Sequence, residues 1–176
     1  MVDLEMRLGR PVADCGKESV HHVLVTLRGD EAAPDMQRPG LSILALLDAS
    51  SSMRSQRKME SLKATMLGLI NNLKETDRLG LVMYASSARL LMGLSGMTPG
   101  NRVRAKDMVR RLIPNGTTDM SGALRLGYEE FRQKQPGPGI NRMILFTDGC
   151  PTSGVVRPEK LVDMAGTRPP GVRLTA

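Results

Sequence analysis

The chain is poor in rings. It has no Trp, two Tyr and two Phe, and aromatics make up 2% of its 176 residues. A core built without rings must be aliphatic, and the 13 Met suit its gaps, being unbranched and flexible. The same scarcity argues against a single-stranded nucleic-acid platform, which works by stacking bases on aromatic side chains. Histidine is limited to two residues, His21 and His22, too few to offer an obvious general base. As neighbours in an expected strand they point to opposite faces and cannot share one ion. Cys15 and Cys150 stand far apart, in no metal-binding spacing. They read as two free thiols, Cys150 as a small buried hydrophobe. No apolar run is long enough to cross a bilayer. The start Met1-Val2-Asp3-Leu4-Glu5-Met6-Arg7 is acidic and lacks the apolar centre of a secretion signal. The expectation is a cytoplasmic protein with no membrane partner. A P-loop, a G-x-S-x-G elbow and a G-x-G-x-x-G fingerprint are all missing.

What is present fits one globular domain with a sizeable core: 40% of the residues are hydrophobic and 24% charged. The formal net charge is +7, and its residues are spread along the chain. Arg110-Arg111 falls near a helix end, where it favours the dipole. This reads as a solvated basic surface that favours acidic partners, and no nucleic-acid module appears.

Along the chain, residues 20–28 alternate loosely as a strand, and residues 30–40, with Pro34 and Pro39, form a loop. Residues 41–47 are nearly all apolar, as a strand buried on both faces should be. Met59, Leu62, Met66, Leu69, Ile70 and Leu73 then recur at helical spacing. Residues 79–84 and 89–94, joined by Ser86-Ser87, can only be a hairpin, so one strand runs antiparallel. Thr98-Pro99 opens a second helix with Val103, Met108, Val109 and Leu112 as its apolar face. Residues 120–131 form a third helix, 143–146 a second all-apolar strand, 158–165 a short helix, and a further strand begins at Gly171. Strands alternating with helices predict an α/β fold, a doubly wound, mostly parallel sheet with helices on both faces and one antiparallel edge strand. Residues 1–19 read as an N-terminal segment and residues 20–176 as the domain.

The two buried strands each run into an Asp-containing turn, Asp48-Ala49-Ser50-Ser51-Ser52 and Thr147-Asp148-Gly149. In a doubly wound sheet the ligand crevice lies at the carboxyl ends of the central strands, so Asp48 and Asp148 should converge there. The Asp48 turn offers a carboxylate and two hydroxyls with no His or Cys nearby, hard oxygen donors of the kind Mg²⁺ or Mn²⁺ takes. Each residue also has a plainer reading. Ser52 and Thr118 could each be a helix N-cap, and Asp148-Gly149 an ordinary turn. Arg28-Gly29-Asp30 spells an integrin-recognition tripeptide but reads as a plain turn at a strand end.

The pattern D-x-S-x-S at Asp48, Ser50 and Ser52 with Met53 after it, the loop Gly116-Thr117-Thr118-Asp119, and Thr147-Asp148-Gly149 follow in order. Together they resemble the metal-ion-dependent adhesion site of von Willebrand factor type A domains, bacterial type. Asp77-Arg78-Leu79-Gly80-Leu81-Val82 agrees with the family's second strand. Ser51 and Thr117 stand where Gly is usual, at positions not expected to supply ligands. The resemblance covers nearly all of the chain from Leu41 onward. It implies a Rossmann-like sheet of strand order 3-2-1-4-5-6, counting from the strand at Leu41. It also implies a single Mg²⁺ (or Mn²⁺) cofactor held by Asp48, Ser50, Ser52, Thr118 and Asp148. Ser50 and Ser52 would ligate directly, and Thr118 and one of the two Asp directly or through water.

The function implied is binding rather than catalysis: a partner protein supplies an Asp or Glu to the ion. The family continues beyond the strand at Gly171 with elements this sequence does not include. The expectation is a domain incomplete at its C-terminus, with self-association through the exposed sheet edge. The competing expectation is a Mg²⁺-dependent phosphoryl-transfer or hydrolase-type enzyme using Asp48. Haloacid-dehalogenase-like phosphatases place a second Asp two residues on, where this chain has Ser50.

Overall fold

The structure, a computed structural model, describes residues 2–8, 23–29 and 38–176. His21-His22, Cys15, Asp30 and most of the expected loop before Gly40 lie outside the described residues. By internal contacts the chain divides into two units, Met1–Arg38 and Pro39–Ala176.

In the first unit, strands β1 (Val2–Leu8) and β2 (Val23–Gly29) form a two-stranded antiparallel sheet, with Leu4 opposite Leu27 and Met6 opposite Val25. The strand expected over residues 20–28 therefore pairs with the chain's own start rather than with the central sheet. The alternation Val2-Asp3-Leu4-Glu5-Met6-Arg7-Leu8 carries the period-2 signal of β1.

The second unit holds a five-stranded sheet. Its strands are β3 (Leu41–Asp48), β4 (Arg78–Tyr84), β5 (Ala88–Gly96), β6 (Ile140–Phe146) and β7 (Val172–Thr175), in the order β5-β4-β3-β6-β7. Only the β4–β5 pair is antiparallel, and β5 lies at an edge, as expected. The order equals 3-2-1-4-5 when counted from β3. Alternate residues of β3 face opposite layers. Ile43, Ala45 and Leu47 join a core with α1 (Lys58–Asn72) and α2 (Pro99–Arg110) through Met59, Leu62, Met66, Ile70, Ala105 and Val109. Leu44 and Leu46 join a second core with α3 (Met120–Lys134) through Ala123, Leu124, Tyr128 and Phe131, and Leu161 of α4 (Pro158–Gly166) packs against that core. Helices thus cover both faces, and β3 is buried along nearly its whole length.

Val103 corrects the expected face of α2. It is exposed, whereas Val109 and Leu112 face inward as expected and Ala105 joins them. Among the described residues no helix is long and apolar enough to cross a membrane.

Candidate metal centre

Three loops meet where β3 and β6 end. The first begins at Asp48, whose Oδ1 accepts the Ser50 amide at 2.8 Å. That bond turns the chain out of the strand, in the way Asp side chains commonly bond the backbone two residues on. A 3₁₀ turn (Ser51–Arg57) follows, anchored by buried Met53. The helix expected directly after Ser52 does not start there. Ser55 is extended, Gln56 and Arg57 adopt left-handed backbone (φ 53° and 57°), and α1 begins only at Lys58.

The second loop is stitched to the first by Asn115 N to Ala49 O (2.7 Å) and Ser51 N to Gly116 O (3.0 Å), and to the β4–β5 turn by Asp119 N to Ala85 O (2.7 Å). Gly116 has φ 81°, and a Cβ there would collide with Ser86 Oγ, so the position requires glycine. The third loop returns to the second through Thr118. The Thr118 amide donates to Thr152 Oγ1 (2.9 Å), and the Thr118 carbonyl accepts the Thr152 amide (3.1 Å). The N-cap of α3 is Asp119, whose Oδ1 accepts the Gly122 amide at 2.9 Å. Thr118 is therefore free of the capping role, and its hydroxyl makes no hydrogen bond among the described residues.

Four of the five expected ligands form a continuous string. Asp48 is fully buried and its Oδ2 accepts the Thr147 hydroxyl at 3.1 Å. Ser50 Oγ lies 2.9 Å from Ser52 Oγ, and Ser52 Oγ donates to Asp148 Oδ1 at 2.8 Å. The second oxygen of Asp148 is held by Lys58 Nζ at 2.9 Å. Ser52 therefore links two loops rather than capping a helix.

Burial pushes the Asp148 carboxyl up. The hydrogen bonds from Lys58 and Ser52 and the Lys58 charge outweigh it and hold the group below its ordinary range. Beneath the site, Tyr84 sits opposite Asp48 in the sheet register and donates to Phe146 O at 2.9 Å. Burial first, then the Asp48 charge, keep its phenol protonated far above its ordinary range.

This donor set fits a hard divalent ion. An octahedron with bonds of about 2.0–2.1 Å has adjacent oxygens about 2.9 Å apart. The Ser50–Ser52 and Ser52–Asp148 separations of 2.9 and 2.8 Å match that edge. Among the described residues no three His, Cys, Asp or Glu side chains gather as a metal cluster. A centre of the zinc type is thus absent from them, and a cation here depends on two carboxylates and neutral hydroxyls. A cleft of about 480 Å³ opens beside the site, lined by Met53, Lys58, Leu62, Leu145, Phe146 and Asp148 among others.

Three participants carry no role in the sequence reading: Lys58, Thr147 and Tyr84. Thr147 lies within the T-D-G motif, and its place before a strand-end Asp was a usable signal. Lys58 and Tyr84 had none, since their partners lie 90 and 62 positions away. Cys150 corrects an expectation: it is a free thiol, but exposed, because the chain has already left the sheet at Thr147.

Comparison with known proteins identifies the family. The family model for the von Willebrand factor type A domain matches residues 42–174. The uncharacterized protein YfbK of Escherichia coli (strain K12) is 27% identical over 126 residues, which cover 72% of this chain and 22% of that protein. Inter-alpha-trypsin inhibitor heavy chain H1 of Sus scrofa is 29% identical over 130 residues, which cover 70% of this chain and 14% of the relative. The chain therefore spans a small part of the length of these relatives. Among solved structures, a von Willebrand factor type A protein from Catenulispora acidiphila superposes with a TM-score of 0.67 at 22% identity, over 98% of this chain and 39% of its own. That likeness concerns the fold.

Proposed function

The chain belongs to the von Willebrand factor type A family, and on that premise we propose that it grips an acidic side chain of a partner protein through a Mg²⁺ or Mn²⁺ ion held by Asp48, Ser50, Ser52, Thr118 and Asp148. Domains of this family are generally metal-dependent protein-interaction modules and mostly non-enzymatic. The observation that carries the reading is the run Ser50 Oγ, Ser52 Oγ, Asp148 Oδ1, spaced at 2.9 and 2.8 Å. These oxygens come from two loops far apart in sequence, and their hydrogen-bond spacing is compatible with neighbouring positions on one ion.

When bound, the ion would supply an electrophilic position for one further anionic oxygen. The chain's residues prepare that position. Asp48 is pinned by Ser50 N and Thr147 Oγ1, so its carboxylate cannot swing. Ser50 and Ser52 offer neutral hydroxyls that donate little charge, which keeps an ion short of negative ligands. The net charge of +7 steers acidic partners toward the surface.

Phosphoryl transfer on Asp48 is the weaker reading. Haloacid-dehalogenase-like phosphatases place a second Asp two residues on, and this chain has Ser50 there. The test is capture of partners from source-cell extract with and without EDTA, followed by titration of each partner. Binding should require Mg²⁺ or Mn²⁺ and should vanish when one Asp or Glu of the partner is changed. Partners that all stay bound in EDTA would refute metal-bridged recognition.

A further inference from the structure

We propose that Lys58 sets how tightly this site holds a divalent ion: its ammonium takes one oxygen of Asp148, and a partner's carboxylate is left to complete the charge balance. The inference rests on the metal-binding reading above and assigns a role to a residue outside the ligand set.

Lys58 is the first residue of α1, placed there by the left-handed pair Gln56 and Arg57. Its Nζ lies 2.9 Å from Asp148 Oδ2, while Asp148 Oδ1 accepts from Ser52. The pair is not a solvent-exposed ornament, since side-chain exposure is 31% for Lys58 and 9% for Asp148. Lys58 also lines the cleft with Met53, Leu62, Leu145 and Phe146. A Lys stem suits an apolar wall of this kind while its charged head stays at the rim.

The charge count follows. Asp48 and Asp148 bring two negative charges, and Lys58 cancels one. A divalent ion added to that set leaves a surplus of one positive charge. Two cations that share one carboxylate repel each other, so Lys58 lowers the affinity of the free domain for the ion. The surplus is what a partner carboxylate removes, so ion and acid should bind each other's complex better than either binds alone. A purely structural role for Lys58, steadying Asp148, makes the opposite prediction: loss of the ammonium would loosen the ligand and weaken the ion.

The experiment is calorimetric titration of Mn²⁺ into the whole chain, comparing the native protein with Lys58→Met, Lys58→Gln and Lys58→Arg, with Asp48→Ala as the blank. Thermal melts in EDTA establish which variants are folded, and Met and Gln provide two routes to removing the charge. Lys58→Met and Lys58→Gln should bind Mn²⁺ at least about fivefold tighter, as loss of a like charge a few ångström away implies. Lys58→Arg, which keeps the charge, should stay within about twofold of the native protein on the same ground. Repeating the titrations in acetate, a plain monocarboxylate, should tighten Mn²⁺ more for the native chain than for Lys58→Met. Equal or weaker Mn²⁺ binding in the neutral variants overturns the role of Lys58 and leaves the metal site standing. Equal acetate coupling in both overturns the claim about the completing anion. A folded native chain that takes up no Mn²⁺ defeats the metal reading itself, and this inference with it.

Discussion

The Thr147 hydroxyl donates to Asp48 Oδ2 at 3.1 Å, tying the carboxyl end of β6 to that of β3 across 99 positions of sequence. The neighbouring residue, Asp148, reaches Ser52 and Lys58. One strand-end dipeptide therefore braces one carboxylate of the site and supplies the other.

Thr147→Val should expose the worth of that brace. It keeps the β-branched shape and removes the hydroxyl, leaving one oxygen of a fully buried carboxylate without its side-chain donor. Such a loss costs about 1–3 kcal/mol. Urea unfolding in EDTA should show it, and Mn²⁺ binding should weaken because Asp48 is free to turn. Unchanged stability and unchanged binding would show that the bond is incidental.

Gly116→Ala should loosen the loop that carries Thr118. The site combines φ 81° with Ser86 Oγ in the path of a Cβ, so the loop or the Ser86 side chain must shift. The backbone strain alone costs about 1–2 kcal/mol. A lower melting temperature should come with weaker Mn²⁺ binding.

Gly127→Ala separates core from site. A Cβ at this point of α3 would lie 2.6 Å from Met143 Sδ and 3.2 Å from the side chains of Leu44 and Leu46. Overpacking of this kind costs about 1–3 kcal/mol. Stability should fall while the folded variant keeps native Mn²⁺ affinity. A parallel loss of Mn²⁺ binding would mean that the site leans on the α3 face of the sheet more than the loop bonding indicates.

Tyr128→Phe should change the alkaline limb of stability. Burial raises the Tyr128 phenol above its ordinary value of 10.0, against smaller opposing pulls from Arg168 and Arg132. The folded state thus stays neutral where the unfolded chain ionises. This stability is whole below about pH 10 and is lost as pH rises from there through the folded value. The Phe variant should lose stability less steeply above pH 10. At neutral pH it should be slightly weaker, by about 0.5–1.5 kcal/mol, for want of the 3.2 Å bond to Ala165 O. Parallel pH profiles in urea titrations would contradict the assignment.

Sequence and structure part company for identifiable reasons. The apolar runs of β3 and β6 were legible because a strand buried on both faces leaves few alternatives, and the motifs at their ends then fall together by topology. The break at Gln56 and Arg57 was not legible, since left-handed backbone without glycine is imposed by the loops around it and has no compositional sign. Strand β1 carries a plain period-2 alternation in the sequence. Val103 sits at helical spacing yet faces solvent, because α2 packs through the smaller Ala105, two residues on and therefore on the other side of the helix. The spacing showed carboxylates and hydroxyls but could not show Lys58 among them, since an ammonium 90 positions from its partner becomes part of a site only once the sheet is formed.

The most direct test is Mn²⁺ titration of the whole chain beside Asp48→Ala and Asp148→Ala, each shown to be folded by its melt in EDTA. The account predicts one Mn²⁺ site in the native protein and its loss in both variants, with the sheet intact because the two cores of β3 do not depend on the ion. Full Mn²⁺ binding retained by both folded variants would contradict it.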